Sequence, residues 1–168
     1  MSDIKRVWTL CFAALASACA STTVVSDEDY AVPYDYREFR AQREVAVVIA
    51  GAPSPDRVRA SLQAGAPRSW PTFVVGDTAV RYRLVLVFDP APGITAARVC
   101  RGETPTMPAV DRRLSVFAVY CRASQPMSQA MGRAPADRMD DLFKDLLPAV
   151  FSDSPVVRPI HGYPGGLL

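Results

Sequence analysis

Few residues in this 168-residue chain have side chains able to define a chemical site. There is one histidine, His161, set in a Gly/Pro-rich final segment. A catalytic imidazole needs a rigid shell of partners to fix its tautomer and position. His161 has no such shell in prospect, so it reads as solvated. Asp140 and Asp141 are adjacent on a helical segment and point about 100° apart, so they do not converge on a metal or share a proton. Asp89 ends an apolar strand and precedes Pro90, which gives it the character of a turn former. Zinc would need four converging ligands, and the spacing of Cys, His and acids supplies no such set. No metal or other cofactor is expected, and no catalytic group is assigned.

The arginines are the remaining candidates. Arg81 and Arg83 fall on one face of a strand, and Arg112 and Arg113 open the following one. Arg81, Arg83 and Arg113 are therefore candidates to receive an anionic ligand or a partner's carboxylates through their guanidinium forks. The competing role is pairing with Glu44, Asp77 or Asp111 on an exposed sheet face. The formal net charge is +2, and removal of residues 1–18 lowers it by one. That balance gives no field strong enough to gather nucleic acid, and no nucleic-acid partner is expected.

The start of the chain is more specific. Lys5 and Arg6 precede VWTLCFAALASA, residues 7–18, an uncharged run too short for a bilayer core of about 20 apolar residues. It fits the apolar region of a secretory signal. The run ends in LASAC, residues 15–19, which resembles the lipobox of bacterial lipoproteins. The resemblance implies a signal peptide at 1–18, removal of Ala18, and diacylation of Cys19 as the first mature residue. The departure is Ala16, where the family usually carries leucine; here Leu15 stands one place earlier. Ala20, in place of aspartate, implies by the same resemblance an outer-membrane position facing the periplasm. ASA at 16–18 and ACA at 18–20 also fit ordinary secretory cleavage, which would leave a soluble periplasmic protein.

With Cys11 lost in the signal and Cys19 acylated, Cys100 and Cys121 remain as an even pair. An exported chain permits a disulfide between them. Neither belongs to a C-x-x-C motif, so a thioredoxin-like role is not expected.

The elements that must position these residues follow from periodicity. Residues 19–43 are polar, hold the acidic cluster Asp27, Glu28 and Asp29, and read as a tether from the lipid anchor. Tyr30, Tyr34, Tyr36 and Phe39 are expected to pin its second half to the domain by burying their rings, the alternative being an aromatic contact surface for a partner. VAVVIAG, 45–51, is a β-branched run and predicts a buried strand. Ser54, Pro55 and Asp56 open a helix that carries Val58 and Leu62 on one face and that Gly65 ends in a left-handed stop. A short strand at 73–75 precedes AVRYRLVLVFD, 79–89, the central strand. A long Pro/Gly loop spans 90–111. RLSVFAVYC, 113–121, and MSQAMGR, 127–133, form a hairpin with the latter at the edge. Met139, Leu142, Phe143, Leu146 and Val150 repeat with helical spacing, and Pro148 should end or kink that helix.

The order β-α-β-β-β-α predicts one α+β domain at 44–153. Its sheet is mixed or mostly antiparallel, with two helices on one face and the other face partly open. Residues 154–168 read as a flexible tail. The stretch from LVLVFDP to MSQAMGR also looks like short envelope lipoproteins, including auxiliary lipoproteins of transport systems, by analogy of layout. The expectation is an exported accessory module that acts by binding an envelope protein partner, with the membrane reached through the lipid on Cys19. The alternative is a periplasmic small-molecule or lipid-binding module with a pocket under the 90–111 loop. An enzyme would require Asp89, Cys100 and His161 to meet in one cleft.

Overall fold

The strand predicted to be central is apolar on both faces in its second half, so both faces must be covered and the strand belongs inside the sheet. In the computed structural model, which describes residues 23–26, 33–52, 54–76, 80–108 and 113–151, this is what is found. The elements run β1 (Thr23–Ser26), α1 (Pro33–Ala41), β2 (Glu44–Ala50), α2 (Pro55–Gly65), β3 (Thr72–Val75), β4 (Tyr82–Phe88), α3 (Ala96–Cys100), β5 (Arg113–Arg122), β6 (Gln125–Pro135) and α4 (Met139–Val150). They form a single mixed sheet in the order β1-β6-β5-β4-β2-β3. β2 is parallel to both β3 and β4; the β4, β5, β6 and β1 neighbours are antiparallel. The α+β class is that expected from the sequence.

Leu84, Leu86 and Phe88 of β4 point into the main core, beneath α2 and α4, with Val45, Val47, Val58, Leu62, Leu142 and Leu146 around them. Ser54 caps α2 by accepting the N–H of Arg57 at 3.5 Å, and Pro55 takes the first helical position. Gly65 does not adopt the left-handed stop: Ala66 caps the helix with extended backbone. The glycine is needed for proximity instead. A Cβ there would lie 2.9 Å from the backbone of Phe143 and of Lys144, so α2 and α4 approach with no side chain between them. Gly132 plays the same part between β6 and α4, where a Cβ would meet Leu142 at 2.6 Å.

Four expectations are corrected. First, the tether does not extend to residue 43. Residues 23–26 are hydrogen-bonded to β6, from Thr23 opposite Arg133 to Ser26 opposite Ala130, and residues 33–41 are helical. Phe39 is fully buried, stacked on Phe151 with ring centroids 3.8 Å apart and edge-on to Trp70 and Tyr120. An aromatic cluster that large stabilises a helix whose own periodicity is weak. Second, β6 is not an edge strand, because β1 covers its outer side; it runs on to Pro135. Third, Pro148 does not end α4, which continues two residues further to Val150. Fourth, the second face is not left open at its centre. The 90–111 loop contains α3, which sets Ala96, Val99 and Cys100 against Val85, Val87, Phe117 and Val119.

Candidate functional site

β4 begins at one end of the sheet, which the start of β2 and the end of β5 share. Strand alternation sends Arg83 to the α3 side. There it is 5% exposed and its fork is spent on the backbone. Nη2 donates to the Cys100 carbonyl at 2.6 Å and Nη1 to the Val80 carbonyl at 3.0 Å. The first bond satisfies a carbonyl at the end of α3 that the helix itself cannot. Burial lowers the guanidinium pKa from its ordinary value, and an arginine still remains charged. Nε is buried with no hydrogen-bond partner among the described residues.

Cys121 sits opposite Arg83 in the sheet register. It is bonded to Cys100, with the Cα atoms 5.6 Å apart and both residues buried. The bridge therefore fixes the end of α3 onto the sheet beside Arg83. Arg81, Arg83 and Arg101 then line a shallow recess of about 630 Å³ with Cys100, Gly102, Ala123 and Ser124. Arg101 is exposed and bonds Glu103 at 3.1 Å, and Arg98 bonds the other Glu103 oxygen at 2.8 Å. These bonds, that from Arg98 first, hold the Glu103 carboxyl below its usual pKa. Arg81 is exposed, with its guanidinium 5.4 Å from the Tyr82 ring centroid. The Tyr82 hydroxyl donates to Glu38 at 2.5 Å, and that bond raises the phenol pKa.

Arg113 does not join this group. β5 runs antiparallel to β4, so Arg113 stands opposite Pro135 at the far end of the sheet. At about 3.3 Å per residue it lies roughly 30 Å from Arg122 along the strand. The proposed ion pairs of Arg81 and Arg83 with Glu44 do not form, while Asp77, Asp111 and Arg112 lie outside the described residues. Arg101, which the arginine reading omitted, was legible through the disulfide. Once Cys100 bonds Cys121 opposite Arg83, the residue after Cys100 must lie at this end.

Asp89 and Cys100 do not meet. Asp89 follows β4 at the other end, at φ 46, with its carboxylate accepting the Ser115 N–H at 3.2 Å. This is a turn-stabilising role, in a conformation aspartate tolerates. Ala123, in the turn by the recess, also has a left-handed φ of 53, where glycine would be less strained. Asp141 is paired with Arg138 at 2.6 Å. Cys19, His161 and the tail at 154–168 lie outside the described residues. Among the described residues no group of three or more His, Cys, Asp or Glu could hold a metal, and no helix is long and apolar enough to cross a membrane.

The charges at the two ends of the sheet differ. The end with the recess carries Arg37, Arg43, Arg68, Arg81 and Arg122, none in an ion pair among the described residues. Among the described residues its acids are Glu38, Glu44 and Glu103. At the opposite end Arg57, Arg59, Arg113, Arg133 and Arg138 are matched in number by Asp56, Asp89, Asp137, Asp140 and Asp141.

No family model matches this chain, and no curated protein matches it. Among solved structures it is similar to the PelC dodecamer from Paraburkholderia phytofirmans, at 13% identity over 77% of this chain and 98% of that one, with a TM-score of 0.44. A single-residue variant of the same dodecamer gives 13% identity, 77% and 97% coverage, and a TM-score of 0.42.

Proposed function

We propose that this chain is an exported lipoprotein, anchored by acylated Cys19 at the periplasmic side of the outer membrane, that works by contact and not by catalysis. The observation that carries the reading is the buried Cys100–Cys121 disulfide, a bond suited to an oxidising compartment. The signal-like residues 7–18 and the lipobox-like LASAC support the same compartment. The gathering of exposed guanidinium groups at one end of the sheet supports a contact role, since these are recognition groups with no nucleophile or general base among them.

The fold constrains how such an anchor would act. Three residues, 20–22, separate Cys19 from β1. Four peptide steps reach at most about 14 Å, so a lipid on Cys19 holds the domain close to the bilayer and not on a long leash. The point of attachment is Thr23, at the level of Arg133 and Ser115 and at the end of the sheet remote from the recess.

Mass spectrometry of the mature N-terminus tests the anchor. A diacylated Cys19 is expected; a peptide starting at unmodified Cys19 or at Ser21 would overturn it. Cys19→Ser should move the protein from the membrane pellet to soluble or uncleaved forms.

A further inference from the structure

The geometry points to the arginine-rich end of the sheet, centred on Val80, Arg81 and Tyr82, as a docking surface for an acidic face of a partner protein. The surface combines exposed apolar, aromatic and cationic groups. Val80 is 44% exposed, large for an aliphatic side chain, and it lies between the end of β3 and the exposed Arg81. Tyr82 and Arg122 are half-buried beside it and face each other across β4 and β5. Arginine and tyrosine around an apolar centre are the residues that dominate protein interfaces.

The charge argument fixes the partner's sign. Arg37, Arg43, Arg68, Arg81 and Arg122 have no carboxylate partner among the described residues; the forks of the first four can donate two-point contacts to Asp or Glu, while Arg122 already donates one N–H to Gln125 at 3.1 Å. The pattern also argues for a protein over a uniform polyanion. Glu38, Glu44 and Glu103 are interspersed among these arginines. A phosphate- or uronate-bearing chain would meet them as repulsion, whereas a folded surface can set its own cations opposite.

Position supplies a second argument, resting on the lipid anchor proposed above. The Arg83 level lies six strand residues from the Ser115 level where β1 begins, about 20 Å along the strands. With Cys19 held at the far end, this surface is the one farther from the point of anchoring. Its partner is then met in the surrounding compartment and is not the headgroups of the anchoring leaflet.

The test places a photo-crosslinking amino acid at Val80, and separately at Arg113, in the full chain in its own cells. Val80 should give a discrete protein adduct whose crosslinked peptide carries Asp or Glu. Combining it with Arg81→Glu and Arg122→Glu should lower that adduct about tenfold or more, with thermal unfolding unchanged. Arg113 should not give the same adduct. An adduct of equal yield from both positions, or one indifferent to charge reversal, overturns the proposal. So does an adduct between two copies of this chain. The purified chain is also tested on immobilised polygalacturonate and on phosphatidylglycerol vesicles. Tight binding to either that Arg81→Glu abolishes reassigns the surface to a polyanion or a lipid and overturns the protein partner. The anchor is judged separately by the N-terminal mass, so an unlipidated chain that still gives the Val80 adduct would refute the anchor alone.

Discussion

On one face of the sheet, Leu84, Leu86 and Phe88 lie under α2 and α4, and Phe39 of α1 closes the end of the same core. On the other, Val85 and Val87 are covered by a five-residue helix and little else. The larger face needs no special device, because burial of several leucine, valine and phenylalanine side chains contributes about 1.5–3 kcal/mol each. A helix as short as α3 cannot be held that way, and isolated helices of this length do not form in water. Besides the packing of Ala96 and Val99, a disulfide at Cys100 and an arginine fork on the Cys100 carbonyl attach it to the sheet, while the exposed Arg98–Glu103 and Arg101–Glu103 pairs tie it only to its own following turn. Where apolar area is small, a covalent bond and a charge-assisted one supplement it.

That contrast is open to measurement, and the largest effect belongs to the main face. Leu86→Asp places an unpaired charge in a fully buried position of the central strand and should cost about 3–5 kcal/mol or more. The expected result is a chain unfolded at ambient temperature by near-ultraviolet circular dichroism. A cooperative melt close to that of the parent chain would show that this face is not the main core.

Breaking the bridge comes next. Cys100→Ala with Cys121→Ala opens a 21-residue separation, and loop-closure entropy gives a loss of about 3 kcal/mol. Hydrogen exchange should show faster opening in α3 and the Arg101 to Thr106 stretch, while Leu142 and Leu146 keep their protection. Uniform loss of protection would mean that the two faces do not open separately.

Arg83→Met keeps much of the stem volume and removes the fork. It leaves the Cys100 and Val80 carbonyls without their donor and should cost about 1–3 kcal/mol in urea titration. Arg81→Ala, exposed and a neighbour in sequence, should stay within about 0.5 kcal/mol. Equal effects for the two would remove the distinction between a positioning arginine and a contact arginine.

The smallest effect is the acid dependence of α3. Glu103 has its folded pKa depressed by Arg98 and Arg101, so its contribution is present above the pKa of the unfolded chain. The contribution is lost as pH falls through the depressed folded value. The pair is exposed, so the effect is slight and screened by salt. Nuclear magnetic resonance titration should place Glu103 below an ordinary glutamate, and Glu103→Gln should make α3 exchange less dependent on acid pH.

The sequence alone determined the local matters. The strand at 45–51 is visible as a β-branched run, the helix from Ser54 by its capping residues, and the central strand and the apolar stripe of Met139, Leu142, Phe143 and Leu146 by their two-residue and 3.6-residue periods. The Cys100–Cys121 pairing was legible as an expectation from the signal-like start of the chain and the two cysteines that lie beyond it and Cys19. Tertiary structure alone decided the rest. The periods of β1 and α1 are weak, and they are held by a neighbour's unpaired edge at β6 and by the ring cluster of Phe39, Trp70, Tyr120 and Phe151. α3 is too short to announce itself and depends on the bridge. The site changed for the same reason. Spacing places Arg81 and Arg83 together, but only strand direction says whether Arg113 joins them. β5 returns antiparallel, carrying Arg113 away and bringing Cys121, Arg122 and, through the disulfide, Arg101 to the recess. Direction of pairing is a property of the packed sheet, set by which faces bury the most apolar surface, and no local pattern in a single strand records it.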